Sequence, residues 1–191
     1  MARPAMASSQ GPTLRSTLGE RPQGGECPCA EVLRSTPLFA DLSEEQLKVV
    51  SSLCRQAAAC TGGVFFSQGE QLKELYVVLD GEVWLEEELP LGPQLPTKKI
   101  LVDRVGKNGV FGLCAMIPPE RAKHTARCTS DAKIIAIDRD ELMALMKAHS
   151  NIGFTVMLNA LKMAVARLER TQARIITELG LPAMYEAYRN Y

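Results

Sequence analysis

The stretch ELYVVLDGEVWLEEE, residues 74–88, decides the fold class. It holds two short apolar runs rich in β-branched and aromatic residues, and Asp80-Gly81 separates them. Glycine accepts the positive φ that a tight turn requires, so the two runs predict strands joined in a β-hairpin. This stretch therefore indicates a core built from strands.

Similar runs surround it between residues 55 and 137. They are AAACTGGVFF (57–66), KKILVDRVGKNGVFG (98–112) and TARCTSDAKIIAI (125–137). The segment LPLGPQLPT (89–97) is rich in proline, which cannot donate to a sheet ladder, and it predicts a longer hairpin loop. Seven or eight short strands at this spacing favour a closed roll, barrel or sandwich over a parallel α/β sheet.

Helices are predicted on both sides of the strands. Ser43, followed by an acidic first turn and Gln46, is typical of a capped helix start. Asp138 predicts the cap of a second helix, and Asn151 the cap of a longer one that runs to about Leu179. The predicted fold class is mainly β with flanking helices: an eight-stranded, jelly-roll-like β-roll followed by a long C-terminal dimerisation helix.

Composition suggests four segments. Residues 1–26 are rich in Pro, Gly, Ser, Arg and Gln and predict a disordered tail, because they offer too little apolar surface to offset chain entropy. The β-roll domain is predicted over 27–150, the long dimerisation helix over 151–179 and a C-terminal tail over 180–191.

The long helix carries a regular apolar stripe. Its members alternate in separation between three and four residues, the a/d spacing of a two-stranded seam. We call this set the stripe: Phe154, Met157, Leu161, Ala164, Leu168, Thr171 and Ile175. The stripe predicts a parallel homodimer through residues 154–175, with its first two turns packed on the roll. The alternative is that the whole stripe packs on the protein's own roll.

Overall composition limits the partners. The 22 basic and 22 acidic residues of the 191-residue chain cancel, so no net field draws it to nucleic acid or to an anionic membrane. No apolar run approaches the roughly 20 residues that cross a bilayer, and the start MARPAMASSQ lacks a signal segment. We expect a cytoplasmic protein without membrane contact, whose six cysteines are reduced thiols.

Several of these motifs resemble one known family. YVVLDGEV (76–83), preceded by Gly63 and Gly69-Glu70 and followed by Phe111-Gly112, is similar to the cyclic-nucleotide-binding family of the catabolite activator protein and FNR-type regulators. The resemblance covers about residues 32–175. It implies the β-roll fold, a ligand-binding cassette and a regulatory role.

FGLCAMIPPERAKHTARC (111–128), here called the cassette, resembles the phosphate-binding cassette of that family. The candidate ligand-binding residues are Gly112, Leu113, Cys114, Ala115, Arg121 and Thr125. In the family a Glu follows the glycine and accepts from the ribose 2′-hydroxyl, whereas this chain has Leu113 there. Leaving that hydroxyl unpaired would weaken cyclic nucleotide binding by about ten- to a hundredfold.

The family's cassette also holds an Arg that pairs with the cyclic phosphate, and Arg121 is the candidate here. If Thr125 begins the family's strand, Arg121 lies one residue upstream and Ala122 takes the arginine position. Two orientations remain open. Pointing inward, the guanidinium of Arg121 can bind a phosphate bidentately; pointing outward, it leaves only the point charge of Lys123. The likeness of residues 112–119 to cassettes of small standalone members implies a divergent branch.

Cyclic AMP and cyclic GMP are the candidate ligands, with another nucleotide, another small molecule or no ligand as alternatives. FNR-type relatives hold iron–sulfur clusters on several closely spaced cysteines, whereas this chain has only Cys27 and Cys29 in that region. His124 and His149 are candidate haem ligands by resemblance, but isolated histidines are more often structural or solvent-facing. No metal or haem is expected.

Transcription factors of the family continue into a helix-turn-helix, but only GLPAMYEAYRNY (180–191) follows the long helix here. We therefore expect a divergent standalone member without a helix-turn-helix and without direct DNA binding. Two functions remain open: a small-molecule-sensing homodimer that acts on a protein partner, and a ligand-free adaptor of the same fold. An enzyme is not expected, because no nucleophile–base pair or metal-ligand spacing is evident.

Overall fold

The computed structural model describes residues 29–92 and 97–178. Within these ranges the chain forms eight strands in two antiparallel sheets, with two helices before and two after them. The predicted fold class, a β-roll with flanking helices and a long C-terminal helix, is confirmed. The predicted tails over 1–26 and 180–191 lie outside the described residues.

The elements follow one another closely along the chain. The strands are β1 (Cys54–Ala59), β2 (Val64–Phe66), β3 (Glu74–Asp80), β4 (Val83–Pro90), β5 (Thr97–Val105), β6 (Val110–Phe111), β7 (Thr125–Cys128) and β8 (Ala132–Asp138). The helices are α1 (Cys29–Ser35), α2 (Glu44–Ser51), α3 (Arg139–Ala148) and α4 (Ser150–Glu178), and a short 3₁₀ helix (Leu113–Met116) lies between β6 and β7.

The two sheets have the strand orders β1-β8-β3-β6 and β2-β7-β4-β5. Strands β3 and β4 lie in different sheets, so the predicted hairpin at Asp80-Gly81 is wrong. The tight turn does form, with Gly81 at φ +88°, but it carries the chain from one sheet to the other. A Cβ at Gly81 would lie 2.5 Å from the carbonyl oxygen of Asp131, so this crossing requires glycine. The turn motif specified local backbone geometry and not the pairing partner.

The second predicted hairpin is correct. Strands β4 and β5 pair antiparallel from Val83 opposite Val105 to Pro90 opposite Thr97. The ladder includes Leu89, Pro90 and Thr97, so it extends into both ends of the segment (89–97) that the sequence predicted as a loop. Strand β5 is the edge of its sheet and is largely half-buried or exposed, which leaves one side available for α4.

Apolar side chains form two cores, one on each side of the first sheet. The core between the sheets is built on an aromatic cluster of Phe65, Phe66, Tyr76 and Phe111. The other lies between the first sheet and the helices, and its largest fully buried members include Leu33, Leu38, Phe39, Leu47, Ile135, Ile137 and Leu142. The roll and its helices are therefore joined by continuous apolar packing.

The helix starts test the capping predictions. Ser43 forms a capping box, since its Oγ accepts from the amide of Gln46 and its own amide donates to Gln46 Oε1 at 2.9 Å. Asp138 caps α3, since its Oδ1 accepts from the amides of Asp140 at 2.9 Å and Glu141 at 3.0 Å. The cap predicted at Asn151 is wrong, because α4 begins at Ser150. The chain turns from α3 into α4 almost at once, and Gly153 N–H donates to His149 O at 3.0 Å.

Replacing Gly153 with alanine is expected to lower the free energy of unfolding. A Cβ there would lie 2.7 Å from the carbonyl oxygen of Met146, so α3 and α4 must separate. Such overpacking costs about 1–3 kcal/mol, which outweighs the gain in helix propensity of about 1 kcal/mol. Urea denaturation of Gly153→Ala measures the difference. Gly106→Ala is the matched control, since nothing lies within 4 Å of its Cβ; equal losses in both variants would contradict the explanation.

Candidate functional site

The cassette begins with a strand, a glycine and one helical turn. Strand β6 ends at Phe111, and Gly112 follows at φ +79° as the cap residue of the 3₁₀ helix. The amide of Ala115 donates to the carbonyl of Gly112 at 2.9 Å. A Cβ on Gly112 would approach Glu74 O to 3.1 Å, so the close contact with β3 also favours glycine.

Four of the candidate ligand-binding residues directly follow Phe111, and their side chains do not share one surface. They are Gly112, Leu113, Cys114 and Ala115. Ala115 is completely buried in the core between the sheets. Leu113 and Cys114 are half-buried and line a cavity beside α4. Ile117, just beyond them, is 61% exposed at the same cavity. The cassette therefore presents an apolar surface toward α4.

Arg121 points away from the interior of the roll. Its side chain is exposed, and Nη1 donates to the carbonyl of Gly69 at 2.8 Å. Of the two orientations considered, the structure has the outward one. The physical reason is alternation: Ala122 turns inward and is 3% exposed, so its neighbour must face solvent. The inward phosphate-binding arrangement of Arg121 is absent from this structure.

Thr125 is buried, but its hydroxyl already has a structural partner. Its Oγ1 accepts from the amide of Gln68 at 3.0 Å. This bond fixes the turn that leads from β2 to β3. Thr125 therefore stabilises the same turn that Arg121 contacts, because the guanidinium of Arg121 donates to the carbonyl of Gly69 in that turn.

Aromatic rings fill the space between the sheets beneath the cassette. The Phe111 centroid lies 4.9 Å from that of Tyr76 and 5.1 Å from that of Phe65. Ala115 and Ala122 complete the packing. Such close packing leaves the interior as core.

A large cavity lies outside this interior, between the cassette, β5 and α4. Its volume is about 660 Å³, within the range of small-molecule sites. We call it the α4–β5 cavity. A neighbouring cavity of about 360 Å³ shares Asp103, Arg167 and Arg170 with it and continues along α4.

Helix α4 closes this cavity because both of its halves contact the rest of the chain. In the first half Ile152 and Val156 are buried against α3 and the first sheet, and Asn159 Nδ2 donates to Leu38 O at 3.3 Å. In the second half Arg167 Nε lies 2.9 Å from Asp103 Oδ2. Further on, Arg174 Nη1 donates to the carbonyl of Leu101 at 3.2 Å.

Most of the stripe faces away from these contacts, but Ala164 lines the α4–β5 cavity, and Thr171 and Ile175 line the neighbouring one. The prediction that its first two turns pack on the roll is wrong, since Phe154 is 72% and Met157 47% exposed. Ile152 and Val156 make that contact instead, which rotates the stripe outward. Leu161, Leu168 and Ile175 are exposed as well. In the described part of the chain, α4 therefore displays exposed apolar side chains at Phe154, Leu161 and Leu168.

His124 is a polar residue of this region, for which the sequence left open a haem ligand and a structural or solvent-facing residue. Its Nδ1 is buried and has no hydrogen-bond partner within the described ranges. Burial lowers the pKa of its imidazole, and the nearby charge of Arg167 lowers this pKa further. The carboxylates of Glu87 and Asp103 act in the opposite direction and raise it, Glu87 more than Asp103. His124 therefore lies close to the ion pair that joins β5 and α4. The sequence feature that could have pointed to His124 is its position directly before Thr125, a candidate ligand-binding residue.

The thiols and histidines show no built metal centre. Among residues 29–92 and 97–178, no group of three or more His, Cys, Asp and Glu side chains is arranged to hold a metal ion. Cys54 and Cys128 are buried free thiols, whereas Cys60 is exposed. Burial raises the pKa of Cys128 to about 11. None of the helices in the described part of the chain is long and apolar enough to cross a membrane.

Comparison with known proteins identifies the class. Residues 58–149, from β1 to the end of α3, match the model of the cyclic nucleotide-binding domain family. The match includes both sheets and the entire cassette. The chain therefore carries a domain of the cyclic nucleotide-binding family, as the resemblance predicted.

Individual relatives agree with this assignment. A cyclic nucleotide-binding domain from Methylobacillus flagellatus superposes with a TM-score of 0.68 at 21% identity, covering 78% of this chain and 82% of its own. A candidate cyclic nucleotide-binding protein from Geobacter metallireducens gives 0.61 at 26% identity, covering 73% and 97%. A candidate potassium channel protein of Rhodopseudomonas palustris is 26% identical over 61% of this chain, which spans 27% of that protein's length.

Proposed function

We propose that this chain is a small-molecule-sensing regulatory module that works as a homodimer. The single observation that carries the proposal is the α4–β5 cavity, which is bounded by the cassette on one side and by α4 on the other. Cyclic AMP and cyclic GMP are its first candidate ligands, because the family is defined by binding cyclic nucleotides.

A molecule in this cavity would contact both the cassette and α4. Leu113 and Cys114 belong to the cassette, and Met163 and Arg167 belong to the helix. Occupation would favour the α4 position that makes the best contacts with the ligand, and a shift in that position would change what the dimer presents to a partner. The start of α4, near Ser150 to Gly153, is the proposed hinge.

The exposed stripe supports the homodimer. Its apolar residues keep the a/d spacing, and Phe154, Leu161 and Leu168 are exposed on α4. Arg167 and Arg174 meanwhile hold another face of α4 against β5. One helix can therefore contact its own roll and a second copy at the same time.

A ligand-free adaptor is the second candidate, and two observations favour it. Leu113 removes the acceptor for a ribose hydroxyl, and Arg121 donates to Gly69 instead of facing the interior. A roll without ligand would act only through protein contacts, such as those of the exposed stripe.

A thermal-shift screen tests sensing against the adaptor. The purified chain is melted with cyclic AMP, cyclic GMP and a panel of other small molecules. A ligand present at 100 times its Kd is expected to raise Tm by about 5–10 °C. Ala166→Trp, which fills the α4–β5 cavity, is expected to abolish the shift, whereas Ala144→Trp on exposed α3 should retain it.

The outcomes separate the two candidates. No shift with any compound contradicts sensing and supports the adaptor. A shift that survives Ala166→Trp places the ligand elsewhere and contradicts the proposed cavity. In either case we propose a non-catalytic module that acts through protein contacts and not by direct DNA binding, and the cytoplasmic location remains a prediction from composition.

A further inference from the structure

We propose that the α4–β5 cavity binds an amphipathic carboxylate, a molecule with one carboxylate and a medium-length apolar body. This inference rests on the proposed sensing function and specifies the chemical class of the ligand. Three properties of the cavity carry it: an excess of positive charge, an apolar lining and the absence of acceptors where a nucleotide needs them.

Positive charge dominates the polar part of the lining. Five cationic residues and one carboxylate, Asp103, line the cavity, although the guanidinium of Arg104 lies over the Trp84 ring, 5.0 Å from its centroid. The cations are Arg104, Lys107, Lys162, Arg167 and Arg170. Because the chain as a whole has zero net charge, this local excess is a property of the site and not of the composition.

The cations differ in how far their charge is compensated. Arg167 pairs with Asp103 at 2.9 Å, and Arg170 reaches the same carboxylate only at 4.0 Å. Lys162 lies 3.4 Å from Asp41. Lys107 is exposed and has no ion pair within the described ranges. Arg170 and Lys107 therefore carry the least compensated charges, enough for a monoanion, and the planar guanidinium of Arg170 matches a carboxylate.

The rest of the lining is apolar and comes from all three walls. It comprises Val105, Val110, Leu113, Ile117, Met163 and Ala166. Ile117 is exposed at the cavity, so an apolar ligand body would remove its surface from water at about 25 cal/mol per Å². Met163 adds an adaptable side chain that accommodates different shapes.

The cassette, by contrast, fits a cyclic nucleotide poorly. Leu113 offers no acceptor to a ribose hydroxyl, and each hydroxyl buried without a partner weakens binding by about ten- to a hundredfold. Arg121, the candidate phosphate ligand, faces solvent. An apolar chain or ring has no hydroxyls to satisfy and gains from the contacts that the nucleotide cannot use.

Calorimetric titration of the full chain tests the proposal with three probes: sodium decanoate below its micelle concentration, decanol and cyclic AMP. Decanoate is expected to bind about tenfold or more tightly than decanol, because a charged hydrogen bond adds that much. Lys107→Glu combined with Arg170→Glu should weaken decanoate binding by about tenfold or more. The matched control, Lys133→Glu with Lys147→Glu, changes the net charge equally on exposed residues outside the cavity and should bind as the wild type does.

Each other result overturns the inference in a recognisable way. Equal binding of decanol, or undiminished binding by the Lys107 and Arg170 variant, shows that charge does not select the ligand. Binding of cyclic AMP without decanoate leaves the sensing function intact and refutes only the ligand class. Silence with all three probes refutes the ligand class, and the wider thermal-shift panel then decides separately whether the module senses anything. A rise of Tm with decanoate in the same samples establishes that it binds the folded chain.

Discussion

Leu161→Glu combined with Leu168→Glu is expected to convert the proposed homodimer into a monomer. Both leucines belong to the stripe and are 61% and 56% exposed on the single chain. Burying one leucine contributes about 1.5–3 kcal/mol, and a dimer would lose this contribution at both positions of both helices. The glutamates would also face each other as like charges across the seam.

Size-exclusion chromatography with light scattering measures this change as a fall from twice the mass of one chain to once. Leu161→Met with Leu168→Met keeps the seam apolar and serves as the matched control that should remain a dimer. Circular dichroism checks that the glutamate variant stays folded, as expected for residues that contact no core. A wild-type chain that is monomeric at micromolar concentration, or a glutamate variant that stays dimeric, would contradict the seam.

Phe111→Ala is expected to have the largest effect on the stability of the fold. The side chain is fully buried between the sheets and contacts the rings of Phe65, Phe66 and Tyr76. Removing a buried phenylalanine costs about 3–5 kcal/mol, a large share of the roughly 5–15 kcal/mol by which domains are stable. Because Phe111 directly precedes Gly112, the loss would also loosen the cassette.

Urea denaturation at one fixed chain concentration measures the change in the free energy of unfolding, since the stability of a dimer depends on concentration. Phe111→Leu fills most of the volume and is expected to cost clearly less. An alanine variant within about 1 kcal/mol of the wild type would show that the ring is not part of the core that supports the cassette.

Much of the fold could be predicted because it follows from short-range rules. Ser43 and Asp138 cap their helices through side chains that reach amides two or three residues away. Gly81 adopts the positive φ that its position after Asp80 suggested. The stripe was visible because the spacing of apolar residues on one helix needs no knowledge of the remaining chain.

The candidate site was predicted less well, because its properties depend on contacts between distant residues. The sequence proposed Arg121 as a ligand residue, but its orientation follows from the inward placement of Ala122 and from the carbonyl of Gly69 across the roll. The cationic cavity was not predicted, since Arg167 and Asp103 are brought together only when α4 packs on β5.

The sequence by itself determined that this chain forms strands, capped helices and an apolar stripe, because alternation, caps and periodicity act over a few neighbouring residues. Only the tertiary structure decided which strands pair, which side of α4 meets the roll and where the open cavity lies. The turn at Asp80-Gly81 illustrates the difference: its backbone was specified locally, but the sheet that β4 joins depends on β5 and β7, which come later in the chain. Strand pairing and helix packing depend on contacts between residues that are far apart in the sequence. Their free energies are therefore determined only when the whole domain has folded.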